Sequence, residues 1–270
     1  MDIEDWYHPE YVRNKAFSRW EGRIQQSLKA TLDMLNELGL NATFFVVGEL
    51  AEKRPEIIEN IRENNHEIAF HGYSHEPLWN LDAKVLRKEI DRFNCLIKEK
   101  CGGFRAPSFS LNNKTKWALK VLKDSGYRYD SSIFPVMTPL YGVWNAPTAP
   151  YRPSSENVTR EDENSKLWEF PLMVYTFKGI RVPVAGGFYM RFFPVNLLAK
   201  AINKLNSQGV PATIFFHNWE LDPQSPRLEL GFFRYFVTYY NLKNTLKKLQ
   251  RLLSFFQFTS VKEFMESYLS

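Results

Sequence analysis

Apolar and polar positions along the chain fall into blocks of helix length and strand length. Over residues 19–38, Trp20, Ile24, Leu28, Leu32, Leu35 and Leu38 recur at helical spacing, and Gly39 ends the run. Asn41–Gly48 is short, mostly apolar and rich in strand formers, which predicts a buried strand. A second helix is predicted over 51–64, with Pro55 near its start, and the run to His71 reads as the next strand. A third helix over 81–99 carries Leu81, Val85, Leu86, Ile90, Phe93 and Ile97. Strand and helix alternating at this interval predict parallel strands with helices outside them. In such folds the chemistry gathers at the carboxyl ends of the strands.

The second half continues the pattern less regularly. Cys101–Leu111 reads as a short strand running into a loop, 113–125 as a helix closed by Gly126, and Tyr127–Ser132 as another strand end. Residues 135–166 are rich in Pro, Asn, Ser and acids, a long irregular excursion of the kind that usually carries function or is mobile. Leu167–Pro171 and Arg181–Val184 predict short strands, Gly186–Arg191 a glycine-led loop, 194–207 a helix, and Val210–His217 the last buried strand. Helices follow over 241–256 and from 261. The segment 228–270 is apolar on one stripe and basic on another. It reads as a helical cover, with a partner or a membrane surface as the alternative.

Composition narrows the class. The 270 residues are 44% hydrophobic and 24% charged, which suits one large globular domain or a domain with an appendage. The net charge of +5 is spread over helix faces, with Lys243, Lys247, Lys248 and Arg251 clustered near the end, and this argues against nucleic-acid binding. No segment is long and apolar enough to span a membrane. No secretory leader opens the chain, and Cys95 and Cys101 read as reduced thiols, so a cytoplasmic protein is expected. Oligomeric state is open.

The polar residues at strand ends carry the candidate chemistry: Asp2, Glu4, His71, Arg105, Asp130 and His217. His71 and His75 stand at metal-ligand spacing, and a helical turn after His71 would put both rings on one face. A catalytic site adds a third ligand, often a carboxylate. The start, Met1-Asp-Ile-Glu-Asp-Trp-Tyr-His8, supplies three acids in four residues with no apolar strand before them, so an upstream strand is missing or the start lies late. Aromatic residues on loops (Trp6, Tyr7, Trp144, Tyr189, Trp219) suit sugar faces and serve equally as rim packing.

These motifs together resemble the polysaccharide deacetylases with the NodB homology domain, over most of residues 1–225. Asp2-Ile-Glu-Asp-Trp6 looks like the family's first motif, His71-Gly-Tyr-Ser-His75 like its metal-binding motif, Arg105-Ala-Pro-Ser-Phe109 like its third, and Tyr129-Asp-Ser-Ser132 like its fourth. Phe216-His-Asn-Trp-Glu-Leu-Asp222 resembles the last. Gly186–Arg191 is typical of a bacterial subgroup found with exopolysaccharide gene clusters. Asn218 stands where that subgroup has proline, a change expected to matter little.

The resemblance implies an α/β fold, a distorted (β/α) barrel with about seven strands over 1–227, plus a C-terminal helical extension over 228–270. It implies a divalent metal, zinc first and cobalt or nickel as alternatives, and hydrolysis of an N-acetyl group on an oligo- or polysaccharide. Asp2 would be the base, His71 and His75 metal ligands, and His217 the general acid. Arg105 would hold the base and Asp130 orient its neighbours. The family's usual second aspartate is replaced by Ile3. The third ligand is then Glu4, on the strand face of Asp2, or Asp5 if the chain turns. An oxyanion donor is expected near Phe109, and Trp6, Tyr189 and Trp219 are the remaining candidate substrate contacts. Opening of a small cyclic amide on the same fold, or an inactive member that binds polysaccharide or a partner, are the competing readings.

Overall fold

The computed structural model describes residues 1–13 and 21–268. Residues 19 and 20 of the helix expected over 19–38 lie outside the described residues, and the helix begins only at Ile24, with 21–23 described and not helical. In chain order the elements begin with strand β1 (Asp2–Ile3), helix α1 (Glu10–Arg13), helix α2 (Ile24–Leu38), strand β2 (Thr43–Val46), and helices α3 (Gly48–Lys53) and α4 (Glu56–Glu63). They continue with β3 (Glu67–Phe70), α5 (Ala83–Ile97), β4 (Gly103–Phe104), α6 (Trp117–Asp124), β5 (Tyr129–Asp130) and β6 (Trp168–Glu169). Next come the hairpin β7 (Val174–Phe177) and β8 (Ile180–Pro183), then α7 (Gly187–Phe192), α8 (Val195–Asn206), α9 (Phe232–Tyr239), α10 (Leu242–Leu253) and α11 (Val261–Tyr268).

Strands β1 to β6 form one parallel sheet in sequential order, the arrangement that crossover helices impose. Phe44, Phe45, Phe70 and Phe104 are buried on these strands, and Leu28, Leu35, Ile57, Ile61, Ile90 and Phe93 on the helices fill the space outside them. Extended backbone over 213–217 closes the circle. Met173 N–H donates to Thr213, Phe215 N–H to Ala185, and Asp2 N–H to the Phe216 carbonyl at 3.0 Å.

Several expectations are corrected. Val210–His217 is extended but forms only isolated bridges, Gly186 with Phe215 and Asp2 with His217. Pro211 has no N–H to give a ladder. The expected helix over 51–64 is two helices, because Pro55 starts α4 and cannot continue α3. Gly186–Arg191 is not a loop but leads into α7, and a Cβ at Gly186 would lie 1.8 Å from the Phe215 carbonyl oxygen, so only glycine permits the bridge there. Strand β7 and helix α9 had no clear periodic signal, since Phe232–Tyr239 is aromatic on every face. The sequence offered no strand around the opening acids, yet Asp2–Ile3 is itself β1, fully buried and paired with Phe45 and Val46 of β2.

The C-terminal helices are tied to the barrel at both ends. The first turn of α11 donates Val261 N–H to Thr43 Oγ1 and Lys262 N–H to Glu67 Oε2, placing a helix N-terminus on a half-buried carboxylate. Leu230, Tyr239 and Leu242 pack with Trp6, Val12 and Trp219, next to the carboxyl ends of the strands.

Candidate metal centre and active site

His71 leaves the end of β3 buried, and its Nδ1–H donates to the Arg105 carbonyl at 2.8 Å. That bond fixes the tautomer and leaves Nε2 as an electron-pair donor. Burial pushes its pKa down to about 4, so the ring is neutral, as a ligand must be. No helix follows. Gly72 (φ 71°) and His75 (φ 54°) turn the chain instead, and the rings come to 5.0 Å apart at 70°. A left-handed histidine costs about 1–3 kcal/mol, the kind of strain that gathers at functional sites.

Glu4 completes the set. Donor atoms of Glu4, His71 and His75 all lie within 4.8 Å of one another, and all three residues are buried. Glu4 Oε2 is 2.8 Å from His75 Nε2. Neither Glu4 Oε2 nor His75 Nδ1 makes a hydrogen bond. A buried carboxylate oxygen without a hydrogen bond, grouped with two imidazoles, fits a borderline divalent metal with an open position. Asp5 is elsewhere: its Oδ1 accepts from the backbone N–H of Trp6 and of Arg23. Of the two acids left open by the sequence, Glu4 is the one whose carboxylate stands with His71 and His75.

Glu4 is held by residues more than two hundred positions away. Trp219 Nε1–H donates to Glu4 Oε1 at 3.1 Å, and Glu4 N–H donates to Asn218 Oδ1 at 3.0 Å. Asn218 Nδ2 in turn donates to Ser27 Oγ of α2 at 2.6 Å. Asn218 therefore matters more than the sequence suggested, since a proline there could make neither side-chain bond.

Asp2 and Arg105 form a buried ion pair at 2.6 Å, both 1% exposed. Arg105 also donates to the Ser131 carbonyl and hydroxyl, and its guanidinium lies 4.1 Å from the Phe45 ring centre. Burial opposes ionisation of Asp2, but Arg105, with His71 and His217 behind it, holds the carboxyl down at about 2.

His217 faces these acids from the closing segment. Its Nε2 is 3.3 Å from Glu4 Oε1 and 3.9 Å from Asp2 Oδ2, and its Nδ1 is 3.5 Å from Glu220 Oε2. Burial disfavours the imidazolium, yet Glu4, Glu220 and Asp2 together push its pKa up to about 9. Glu220 also accepts from Arg191 Nε at 3.0 Å, and Arg191 donates onward to the Tyr240 and Val237 carbonyls of the C-terminal helices. Neither Glu220 nor Arg191 was singled out for chemistry in the sequence, although both lie inside motifs that were.

Asp130 does not touch Asp2. It accepts from Ser132 Oγ, whose oxygen accepts from Ala106 N–H at 2.7 Å, so it braces the backbone beside Arg105. Its partner Glu169, also missed by sequence, accepts from Ile133 N–H. Asp130 Oδ2 and Glu169 Oε2 are both buried without a hydrogen-bond donor. Burial raises Asp130 to about 6 and, with the charge of Asp130, raises Glu169 well above the usual range, so the pair holds a proton near neutrality. His8 is a further neighbour, its ring 5.4 Å from that of His75.

The substrate contacts need correction. Trp6 and Trp219 are 2% and 4% exposed, and their indole N–H groups go to the Glu21 carbonyl and to Glu4, so neither offers a face to a sugar. Phe109 packs against Phe134, Tyr141 and Phe215, and its own N–H is spent on the Ala106 carbonyl. Ser108 and Phe109 both have positive φ (54° and 47°), which marks this turn as strained. Tyr189 is half-buried beside Phe134.

Residues 19–129 match the family model described as polysaccharide deacetylase, and residues 131–266 match one described as a domain of unknown function, DUF3473. The chain belongs to the polysaccharide deacetylase family. A peptidoglycan-N-acetylglucosamine deacetylase of Bacillus cereus is 35% identical over 92 residues, covering 32% of this chain and 34% of the relative. The chain spans about a third of the length of the first curated deacetylases it matches. A Mycobacterium smegmatis protein classed as a polysaccharide deacetylase shares the fold (TM-score 0.55, 21% identity, 89% of this chain and 76% of that one). PuuE allantoinase does so too (TM-score 0.60, 13% identity, 100% and 89%). The deacetylase fold expected from the sequence is therefore the one observed.

Proposed function

We propose that this deacetylase-family chain hydrolyses the N-acetyl group of an amino sugar within a polysaccharide or its precursor. One observation carries the reading: an Arg-held carboxylate, a His/Glu ligand set and a carboxylate-backed histidine meet at one end of the parallel sheet. Glu4, His71 and His75 would hold the metal, zinc first, and the hydrogen bonds of Asp5 to Trp6 and Arg23 support Glu4 over Asp5. When bound, the metal would supply Lewis-acid polarisation of the acetyl carbonyl and lower the pKa of water beside it.

The chain's own groups supply the proton transfers. Asp2, kept ionised by Arg105, takes a proton from the attacking water. His217, cationic at neutral pH, gives one to the departing amine, which leaves poorly as an anion. Glu220 and Arg191 hold that imidazolium in place. The Asp130–Ser132 contact keeps the Arg105 turn in register. Residues 1–227 act as the catalytic barrel and 228–270 as its helical extension. An exopolysaccharide is the polymer favoured by the Gly186–Arg191 motif, and two free cysteines fit a cytoplasmic setting. No described helix is long and apolar enough to cross a membrane.

Acetate release from N-acetylglucosamine oligomers, measured after loading with zinc, cobalt or nickel, tests the proposal. Ring opening of a cyclic amide such as allantoin serves as the comparison. Acetate without ring opening is the expected result. Failure to retain any of the three metals, or to release acetate with any, overturns it.

A further inference from the structure

The basic charge of this chain is not evenly placed. Between Glu229 and Glu263 there is no acidic residue, and the stretch 230–262 carries six cations: Arg234, Lys243, Lys247, Lys248, Arg251 and Lys262. The whole chain has a net charge of +5, so this stretch contributes +6 and the remainder nets −1. On α10, Lys243, Lys247, Arg251 and the following Phe255 are spaced by four and all exposed, so they form one stripe of the helix.

The same stretch presents aromatic rings to solvent. Phe232 and Phe233 open α9 at 89% and 59% exposure, with Arg234 and Tyr235 exposed beside them. Behind them is a ladder of rings. Phe232 stacks on Phe236 at 6.4 Å, Phe236 meets Phe188 at 5.6 Å and Tyr240 at 4.9 Å, and Phe188 stacks on Phe192 at 5.4 Å. Phe192 is itself exposed. The ladder reaches the site, because Phe188 follows Gly187, where a Cβ would stand 3.9 Å from the His217 ring.

We propose that the Phe232–Phe233 end of α9, with the basic stripe of α10, is a docking surface for an anionic lipid bilayer. Phenyl rings that protrude as far as Phe232 and Phe233 insert readily among acyl chains, and Arg234 beside them would stay at headgroup level. A neutral N-acetylated glycan gives the exposed cations Arg234, Lys243, Lys247 and Arg251 nothing to meet, whereas the headgroups of an anionic leaflet do. The surface lies beside the deacetylase site and would bring it to polymer growing at a membrane. Binding itself needs no turnover, so the inference stands or falls apart from the proposed reaction.

Co-sedimentation of the full chain with vesicles tests it, comparing phosphatidylcholine alone with phosphatidylcholine–phosphatidylglycerol. The expected result is binding to the anionic vesicles only, weakened by salt through screening. Phe232→Ser with Phe233→Ser should lower the partition coefficient at least about tenfold, and Lys243→Glu with Lys247→Glu should lower it as well. Both variants should keep the unmodified far-UV circular dichroism. Absence of binding to anionic vesicles, or binding that the phenylalanine changes leave intact, overturns the proposal. So does a vesicle-free dimer that the same changes dissolve, which would assign the patch to a second copy of the chain.

Discussion

Replacing Arg105 by methionine isolates the buried pair on which the proposed base, Asp2, depends. The change keeps much of the side-chain bulk but leaves the Asp2 carboxylate buried and 1% exposed without its partner. Asp2 sits at about 2 where 3.8 is ordinary, which corresponds to roughly 2–3 kcal/mol at 1.36 kcal/mol per pH unit. The sign follows from linkage. A depressed carboxyl contributes stability above its unfolded pKa, and that contribution is lost as pH falls from about 4 through about 2. Without Arg105, burial instead raises Asp2, and stability then falls as pH rises past its unfolded pKa. Breaking one partner of a buried pair costs about 3–5 kcal/mol. With a urea m-value near 3 kcal/mol/M, the midpoint at neutral pH should fall by about 1–1.7 M. Arg105 also bonds Ser131 and packs on Phe45, and a double-mutant cycle with Asp2→Asn cancels those losses. Arg105→Met should cost far less in the Asp2→Asn background, with a coupling of about 2 kcal/mol or more. Equal cost in both backgrounds, a coupling under about 0.5 kcal/mol, would refute the assignment of Arg105 as the partner that keeps the base ionised.

Other outcomes follow from the same geometry. His217→Ala should retain metal by elemental analysis yet lose about 10²–10⁴-fold in turnover, whereas His71→Ala and His75→Ala should lose both metal and turnover. The acid is competent below the His217 pKa of about 9, so activity should fall as pH rises through that value, and Glu220→Gln should move this limb of the kcat/KM profile to lower pH. The Asp130–Glu169 pair binds protons more tightly folded than unfolded, so urea stability should decline as pH rises from about 4 through about 6 and beyond, and Glu169→Gln should flatten the upper part of that decline. Asn218→Ala removes two buried hydrogen bonds around Glu4 and should cost about 1–3 kcal/mol in stability while weakening metal retention.

The sequence by itself determined what local periodicity can carry. Apolar residues at helical spacing placed α2, α5, α8 and α10 to within a few residues, and apolar runs placed β2 and β3. Because sheet chemistry collects at strand ends, His71, Arg105, Asp130 and His217 were visible as candidates from their positions alone. Local spacing could not show which groups face one another. Only the tertiary structure placed Glu4, and not Asp5, beside His71 and His75, because Trp219 and Asn218 fold back across the site to hold it. It also turned Trp6 and Trp219 from candidate sugar contacts into buried supports, and brought Glu169 to Asp130 and Arg191 to Glu220. These partners sit far apart in the chain or on irregular backbone, where neither the helical nor the strand period relates one side chain to another. The pairing was set by how the barrel closes, and closure depends on short, interrupted strands whose single bridges leave no repeating signal in the sequence.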